Sequence, residues 1–523
     1  MRFQILILIL ILILCVSSDG YRILGLFPFN AKSHFMMYGE LMKGLAKKGH
    51  QVDVISPFPL KKPPPNYTDI VFYPPVTPGL VNNLTYHDMK LYTSGTPVAF
   101  VANVAGNQLC TGMGNPEVLK FLKNPPSDPP YDVVITEIFG GHCFLAVGAN
   151  WNIPVIAASS AALYPWMHGM IANPENLAFV TNNLMNFVEK LDFSTRLYNL
   201  LSAFFNKVYF NYLTTPQDDI IRKYLGKNSL GVREAEANVA MILTNSHFSL
   251  NGVKPMTPAL IEVGGLHIQD DSPELTEELK KWLDESKNGV VYFTFGSMVK
   301  FESFPKNVID VFYKSLGKIA PTRVLMKIVN KEELPEGLPK NVKTLPWIPQ
   351  LNVLKHPNVK VFITHGGLMG TQESIHCGKP MIGIPLFADQ FTNIDLYVVK
   401  GIAVKLDIDN INEKDLDSAL KTVLRNPSYR KAAKRVSATF RDRSMSPVNT
   451  ATFWIEYIIR NGKDSLRSSA MNLTWWQVQL LDVYGFLLLC LLILLYLIYF
   501  FVRQVTTMIF FENEKMDILK KSR

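Results

Sequence analysis

The stretch Val361–Gln390, VFITHGGLMGTQESIHCGKPMIGIPLFADQ, limits what this chain can fold into more than any other part of its 523 residues. Val361 to Thr364 is a β-branched and aromatic run of the kind that fills a buried parallel strand. It stops at His365-Gly366-Gly367, ahead of a helix-compatible segment from Leu368 to Cys377. A strand, a glycine turn and a helix N-terminus bring free N–H groups and the positive end of the helix dipole to one place. That favours an anion by about 0.3–1 kcal/mol and suits a diphosphate. Glu373 follows His365 by about two helical turns, within reach of hydroxyl groups beside such an anion. A second strand, Pro380 to Leu386, leads to Asp389-Gln390 and delivers two more polar groups to the same carboxyl edge of a sheet.

The rest of the chain sets the compartment. Hydrophobic residues make up 48% of the sequence, and two segments account for the excess over a soluble protein. Residues 1–20 have Arg2, an Ile/Leu run to Cys15 and the small residues Ser17 and Ser18, which reads as a cleaved secretory signal peptide. Val483 to Val502 is 20 residues without a charge, about 30 Å as a helix and enough to cross a bilayer once. A cleaved signal places the body in the lumen and the tail, residues 503–523, in the cytosol, with Arg503 directly beyond the span. Lys520 and Lys521 stand third and fourth from the carboxyl end, the pattern of a dilysine retrieval signal to the endoplasmic reticulum.

With Cys15 in the signal and Cys490 in the span, the body keeps Cys110, Cys143 and Cys377, enough for one disulfide at most and without zinc-site spacing. The formal net charge of +9 is spread over scattered lysine pairs with no basic aromatic stripe, so no nucleic-acid partner is expected.

Along the chain, Tyr21–Phe29, Gln51–Ser56, Asp132–Glu137 and Pro154–Ala158 read as strands alternating with helices. Gly289–Gly296, Arg323–Val329, Val359–Thr364, Pro380–Leu386 and Ile402–Ile408 form a second series. This alternation predicts two doubly wound parallel α/β sheets of Rossmann type, facing each other across a cleft. Residues 21–255 form the first half, 256–445 the second and 446–482 a return helix with a membrane-proximal segment, and the Pro- and Gly-containing stretch Asn251–Gly265 reads as the linker. Pro57 to Pro116 reads as loop-rich. Phe179 to Leu213, rich in aromatics and leucine, reads either as helices walling an apolar pocket or as plain core. Sequons stand at Asn66, Asn83 and Asn472, and Trp475-Trp476 reads as an aromatic membrane anchor.

Taken with Trp347 and Gln350, the string WIPQ…FITHGG…QE…GIPLFADQ is similar to the signature of the UDP-glycosyltransferase family that includes the membrane-bound UDP-glucuronosyltransferases and their insect relatives. The resemblance implies a GT-B architecture, with the acceptor in the first half and a UDP-sugar in the second. It further implies that SMSPVNTATFWIEYIIRN is the helix that returns to brace the first half. By the family pattern Trp347 stacks the uracil and Gln350 bonds its edge. His365 meets the diphosphate with Gly367 and Gly370 beside it, Glu373 holds the ribose, and Asp389 with Gln390 holds the transferred sugar. Gly296-Ser297, at the end of the second half's first strand, can meet the diphosphate with N–H and hydroxyl groups.

His34, in LFPFNAKSH, resembles the family's catalytic histidine, and an imidazole is suited to take a hydroxyl proton at neutral pH, for about 10²–10⁴-fold in rate. Its orienting carboxylate falls at Glu137, where mammalian members carry aspartate, and His142 is a substitute participant of low weight. Met369 replaces an asparagine of the mammalian members, and with Leu368 it resembles the insect branch, which favours UDP-glucose over UDP-glucuronate. Asp407-Ile408-Asp409 fits a D-x-D metal motif but reads as a strand end meeting a helix cap.

The expectation is an inverting UDP-hexosyltransferase that uses the UDP-sugar as co-substrate without cofactor or metal. Its acceptors are small lipophilic alcohols or phenols and it is anchored in the membrane of the endoplasmic reticulum, with self-association into a homo-oligomer left open. The alternative is a catalytically inactive nucleotide-sugar or hydrophobic-ligand binder.

Overall fold

A computed structural model of the protein describes residues 20–72, 81–93, 96–127, 129–185, 190–270 and 273–522. The signal peptide read in residues 1–20 lies almost wholly outside them. The body contains two parallel sheets. The first has strands β1 (Arg22–Leu26), β2 (Gln51–Ser56), β3 (Tyr67–Phe72), β4 (Val133–Glu137), β5 (Val155–Ser159), β6 (Val239–Thr244) and β7 (Leu260–Glu262), in the order β3-β2-β1-β4-β5-β6-β7. The second has β8 (Val290–Thr294), β9 (Arg323–Lys327), β10 (Val342–Leu345), β11 (Val359–Thr364), β12 (Met381–Gly383) and β13 (Ala403–Lys405), in the order β10-β9-β8-β11-β12-β13. Central strands such as β4 and β8 are buried along their whole length, their apolar runs covered on both faces and their polar residues confined to the carboxyl ends.

Seven helices matter below: α1 (Lys32–Lys47), α2 (Tyr86–Thr93), α3 (Phe193–Leu213), α4 (Leu368–His376), α5 (Gln390–Val399), α6 (Pro447–Asn461) and α7 (Leu481–Lys521).

Each sheet reverses its winding once. In the first the reversal falls between β1 and β4, and in the second between β8 and β11. Loops leaving the carboxyl ends of such a strand pair turn to opposite faces and open a crevice, the usual ligand position in doubly wound sheets. Register makes the crevices sharp, because Leu26 pairs with Thr136 and Thr294 with Thr364, so the strand ends lie side by side.

Several elements differ from the sequence reading. Part of the stretch read as linker, Leu260–Glu262, is β7, paired with β6 in the first sheet. Val239–Thr244 is a fully buried strand with no turn signal of its own, since Ala, Met and Leu favour helix as readily as strand. β3 carries Thr68 and Asp69 and sits at an edge, which hid it within a proline-rich stretch. Of the stretch Phe179–Leu213, Asn183, Leu184 and Met185 do line the cleft between the sheets, whereas α3 lies outside it and contributes Phe210 to the core. Its inward side is Asn199, Ala203 and Phe210, while Leu197, Leu201, Phe204 and Val208 lie exposed. Asn199 explains the seating, because its amide donates to the carbonyls of Leu177 and Val180 and binds the helix through polar bonds.

Beyond the second sheet the chain returns to the first. Ala451, Ile455 and Ile458 of α6 share a core with Leu41, Met42 and Leu45 of α1, each fully buried Ile, Leu or Met side chain contributing about 1.5–3 kcal/mol. Cys110 and Cys143 form a disulfide, and Cys377 is free. Residues 468–523 form a separate unit in which α7 runs 41 residues, long and apolar enough to cross a membrane, preceded by exposed Trp475 and Trp476.

Candidate active site

The first crevice carries His34, in the first turn of α1, and Glu137, the last residue of β4. His34 Nδ1 lies 2.6 Å from Glu137 Oε1, and the carboxylate is almost wholly buried. An acidic partner at Nδ1 selects the tautomer protonated there and leaves the Nε2 lone pair for a ligand. Two hydroxyl groups complete the arrangement. Tyr38, one helical turn beyond His34, donates to Glu137 Oε1 at 3.1 Å, and Ser160 Oγ stands 2.9 Å from His34 Nδ1. Phe29 and Phe139 meet the imidazole edge-on, with centroids 5.0 and 5.1 Å away, so the ring is clamped on an apolar side. His142 is turned elsewhere. It is fully buried between Glu236, 2.5 Å away, and the carbonyl of Ile138, 2.9 Å away, and it has no part in the crevice.

The second crevice is built around His365. The residue is half-buried, its Nδ1 is buried and has no partner among the described residues, and desolvation assisted by the Lys327 charge pushes its pKa down to about 4, so it is neutral. Gly296 makes this possible: its φ is +81° and a Cβ there would stand 2.5 Å from His365 Cε1. Gly367 precedes the first residue of α4 and lines the cleft with Ser297 and Gly370. Glu373, buried on α4, accepts from Gln350 Nε2 at 2.6 Å. Burial raises its carboxyl to a pKa of about 7 against the opposing pull of that bond. Trp347 is 54% exposed, unusual for an indole, and offers its ring to the cleft. Asp389 is held by Asn393 Nδ2 at 2.9 Å, and burial raises its carboxyl above the usual range. Gln390 spends its carbonyl on the N–H groups of Leu386 and Phe387 and keeps its NH₂ end to offer.

His34 and Ser160 of the first crevice and the Gly296-to-Gln390 groups of the second line a single cavity of about 790 Å³ between the two sheets, with Glu137 and Tyr38 buried behind His34. The structure thus brings together His34, Gly296, Ser297, Trp347, Gln350, His365, Gly367, Gly370, Glu373, Asp389 and Gln390, with Glu137 behind the first of them. It also adds groups the sequence reading missed: Tyr38, Ser160 and Lys327. Lys327 ends β9, beside the second crevice, and its position at a carboxyl strand end was the available signal. Asp407 and Asp409 stand apart from this cavity. Asp407 accepts from the N–H of Asp409 at 3.0 Å and from Asn410 at 2.6 Å, holding a turn, while Asp409 pairs with Lys90.

Comparison with known proteins decides the family. Residues 87–516 match the family model described as "UDP-glucoronosyl and UDP-glucosyl transferase". The chain belongs to the UDP-glycosyltransferase family. It is 36% identical over 501 residues to UDP-glucosyltransferase 2 of Dactylopius coccus, covering 93% of this chain and 94% of that one. It is 33% identical over 397 residues to human UDP-glucuronosyltransferase 2A2, covering 75% and 72%. Among solved structures it resembles Phytolacca americana UGT2, complexed with UDP-2fluoro-glucose and pterostilbene, with TM-score 0.56 and 16% identity, over 84% of this chain and all of that one. The calicheamicin glycosyltransferase CalG4 resembles it with TM-score 0.53 and 16% identity, over 85% and 100%. The fold is GT-B, and this family member is a UDP-sugar transferase.

Proposed function

We propose that this UDP-glycosyltransferase transfers glucose from UDP-glucose to a hydroxyl of a small lipophilic acceptor by one inverting displacement, with His34 as the base. The observation that carries this reading is the His34–Glu137 pair facing the same cavity as His365, Glu373 and Asp389. An acceptor hydroxyl that reaches His34 Nε2 gives up its proton as its oxygen bonds to C1 of the sugar. The C1–oxygen bond to the diphosphate breaks, and UDP leaves on the opposite face. Glu137 stabilises the imidazolium, and the charge growing on the diphosphate meets the N-terminus of α4 and the Lys327 ammonium. Trp347 would take the uracil and Glu373 the ribose hydroxyls. The reaction uses no cofactor beyond the co-substrate.

Phe29, Phe100, Phe139 and Tyr164 line the cavity on the His34 side, which supports an apolar, aromatic-compatible acceptor. The choice of glucose rests on charge. The sugar end presents the acid Asp389. Among the described cleft residues, Lys43 is already paired with Glu40 at 2.6 Å, and Lys327 lies at the Gly296–Trp347 end. A glucuronate carboxylate would therefore face an acid without a free cation. The name of the Dactylopius relative agrees with this choice.

The catalytic body is assigned to the lumen of the endoplasmic reticulum, anchored by α7; the sequon asparagines Asn66, Asn83 and Asn472 are all exposed. The inactive-binder alternative gives the dyad no use. The deciding experiment is transfer from UDP-glucose and, separately, UDP-glucuronate to a panel of phenols and terpenoid alcohols, with native microsomes and His34→Ala. Product from UDP-glucose that vanishes in the variant is expected. UDP binding without turnover would overturn the reading.

A further inference from the structure

A short segment of the acceptor half is built into the donor half. Leu84 forms a parallel bridge with Val299. The N–H of Asn82 donates to Ser297 O at 2.8 Å, that of Leu84 to Met298 O at 3.0 Å, and that of Lys300 to Leu84 O at 3.0 Å. The N–H of Tyr86 donates to Ser303 Oγ at 2.9 Å. Leu84 and Met89 are buried in the core of the second half, with Val299, Phe301 and Phe304. This strap therefore adds an edge to the loop that follows β8, the loop carrying Gly296 and Ser297.

Its first docked residue reaches into the site. Asn82 Oδ1 accepts from Lys327 Nζ at 2.6 Å, and the carbonyl of Gly296 accepts from the same ammonium at 2.7 Å. Lysine has three N–H donors, so two are fixed on neutral oxygens and the third is left for the cleft. Among the described residues no carboxylate lies within ion-pairing distance of Lys327; Glu302 acts on it only from further away. A half-buried cation held by two carbonyl oxygens, with the Trp347 ring 5.8 Å away, is short of a counter-charge, and a diphosphate arriving between Gly296, His365 and the start of α4 supplies one. Burial pushes Lys327 down to a pKa of about 8, so the ammonium is still charged at neutral pH. Asn82 stands at φ +56°, a left-handed conformation that asparagine tolerates better than other side chains except glycine, and this aims its carbonyl at the lysine.

We infer that the acceptor half completes the donor site: Asn82, through its side-chain carbonyl, is a positioning residue that holds Lys327 against the diphosphate of the bound nucleotide. The inference rests on the proposed UDP-sugar site and names the residue from the opposite half that tunes it. It also couples the halves, because any movement that draws the strap from the loop after β8 withdraws the lysine's support along with the loop's edge.

The test compares UDP with uridine, two ligands that differ by the diphosphate alone, by calorimetric titration of the purified full chain in detergent. Asn82→Gly keeps the left-handed backbone and removes only the carbonyl group, and Lys327→Met removes the charge. Asn82→Gly should weaken UDP binding about 5–20-fold and leave uridine within about twofold, with uridine binding also reporting a folded site. Lys327→Met should weaken UDP further, and the double variant should be no weaker than Lys327→Met, as coupled residues require. Asn82→Asp, which offers the ammonium a competing carboxylate, should weaken UDP more than Asn82→Gly does. An unchanged UDP-to-uridine ratio in Asn82→Gly, or full additivity with Lys327→Met, would overturn the role of the strap while leaving the donor site standing. A native chain that binds UDP no better than uridine would overturn both.

Discussion

Glu137 Oε1 approaches Nδ1 of His34 to 2.6 Å across a separation of 103 residues, and the same oxygen accepts from Tyr38 OH. The bond is direct although glutamate is one methylene longer than an aspartate. Glu137 is the last residue of β4 and His34 stands in the first turn of α1, and the glutamate side chain spans the gap between them.

Shortening that side chain should therefore be costly even with the charge kept, though less so than neutralising it. Glu137→Asp keeps the charge but withdraws the oxygen from His34, Tyr38 and Ser160 together, and kcat should fall about 10–10²-fold with the acceptor KM little changed. Glu137→Gln keeps the reach and loses the charge that stabilises the imidazolium, for a fall of about 10²–10³-fold. Steady-state kinetics with UDP-glucose and a phenol measure both. Equal activity of Glu137→Gln and the native chain would sink the assignment of the dyad.

Gly296 is a position where one methyl group should remove the donor without unfolding the protein. Its φ of +81° costs an alanine about 1–2 kcal/mol, and the new Cβ would stand 2.5 Å from His365 Cε1. The ring must then move off the site where the diphosphate is expected. Gly296→Ala should lose UDP affinity by at least tenfold while its thermal unfolding drops only a few degrees, which titration and circular dichroism would read separately.

The charge on Lys327 makes nucleotide binding depend on pH in one direction. Burial lowers its pKa to about 8, so the free site holds an ammonium below that pH and an amine above it. UDP affinity should decline as pH rises beyond about 8, and uridine affinity should stay flat. Lys327→Arg, whose guanidinium does not titrate in this range, should flatten the UDP curve. A UDP profile in Lys327→Arg that still falls above pH 8 would assign the titration to another group.

What could be read beforehand divides along a physical line. The second crevice was legible because its groups lie on one strand–turn–helix–strand unit, so His365, Glu373, Asp389 and Gln390 carry their spacing in the chain. His34 and Glu137 needed a family pattern, since one is an ordinary residue in a helix's first turn and the other an ordinary residue at a strand end until the sheet order sets β1 beside β4. Ser160 and Lys327 had no local mark beyond lying at or just past the carboxyl end of a strand. Their roles come from pairings over 126 and 245 residues, and no periodicity reports such a distance. The outward face of α3 was misjudged for a related reason. Helical spacing of apolar residues says that one face is distinct, but here the buried side is secured by Asn199 and the apolar stripe faces out.

Glu373 offers a last test, in which stability and function should move in opposite directions. Its carboxyl is raised to about 7 in the folded chain, mainly by burial, while an unfolded glutamate ionises near ~4.3. Between these values the unfolded state has released its proton and the folded state has not. Stability from this group is therefore present below pH ~4, declines as pH rises, and is gone above about 7. At pH 8 the fold carries a buried carboxylate whose one hydrogen-bond donor among the described residues is Gln350, with His267 Nε2 3.7 Å away. Glu373→Gln removes the penalty, so the ligand-free variant should be more stable than the native chain by about 1–3 kcal/mol at pH 8, with the difference shrinking toward pH 5. The same change removes the acceptor proposed for the ribose hydroxyls, and UDP affinity should fall about tenfold or more. Thermal unfolding at pH 5 and pH 8, with and without UDP, reads both effects. A variant less stable than the native chain at pH 8 would mean that the ionised carboxylate is compensated in the empty site.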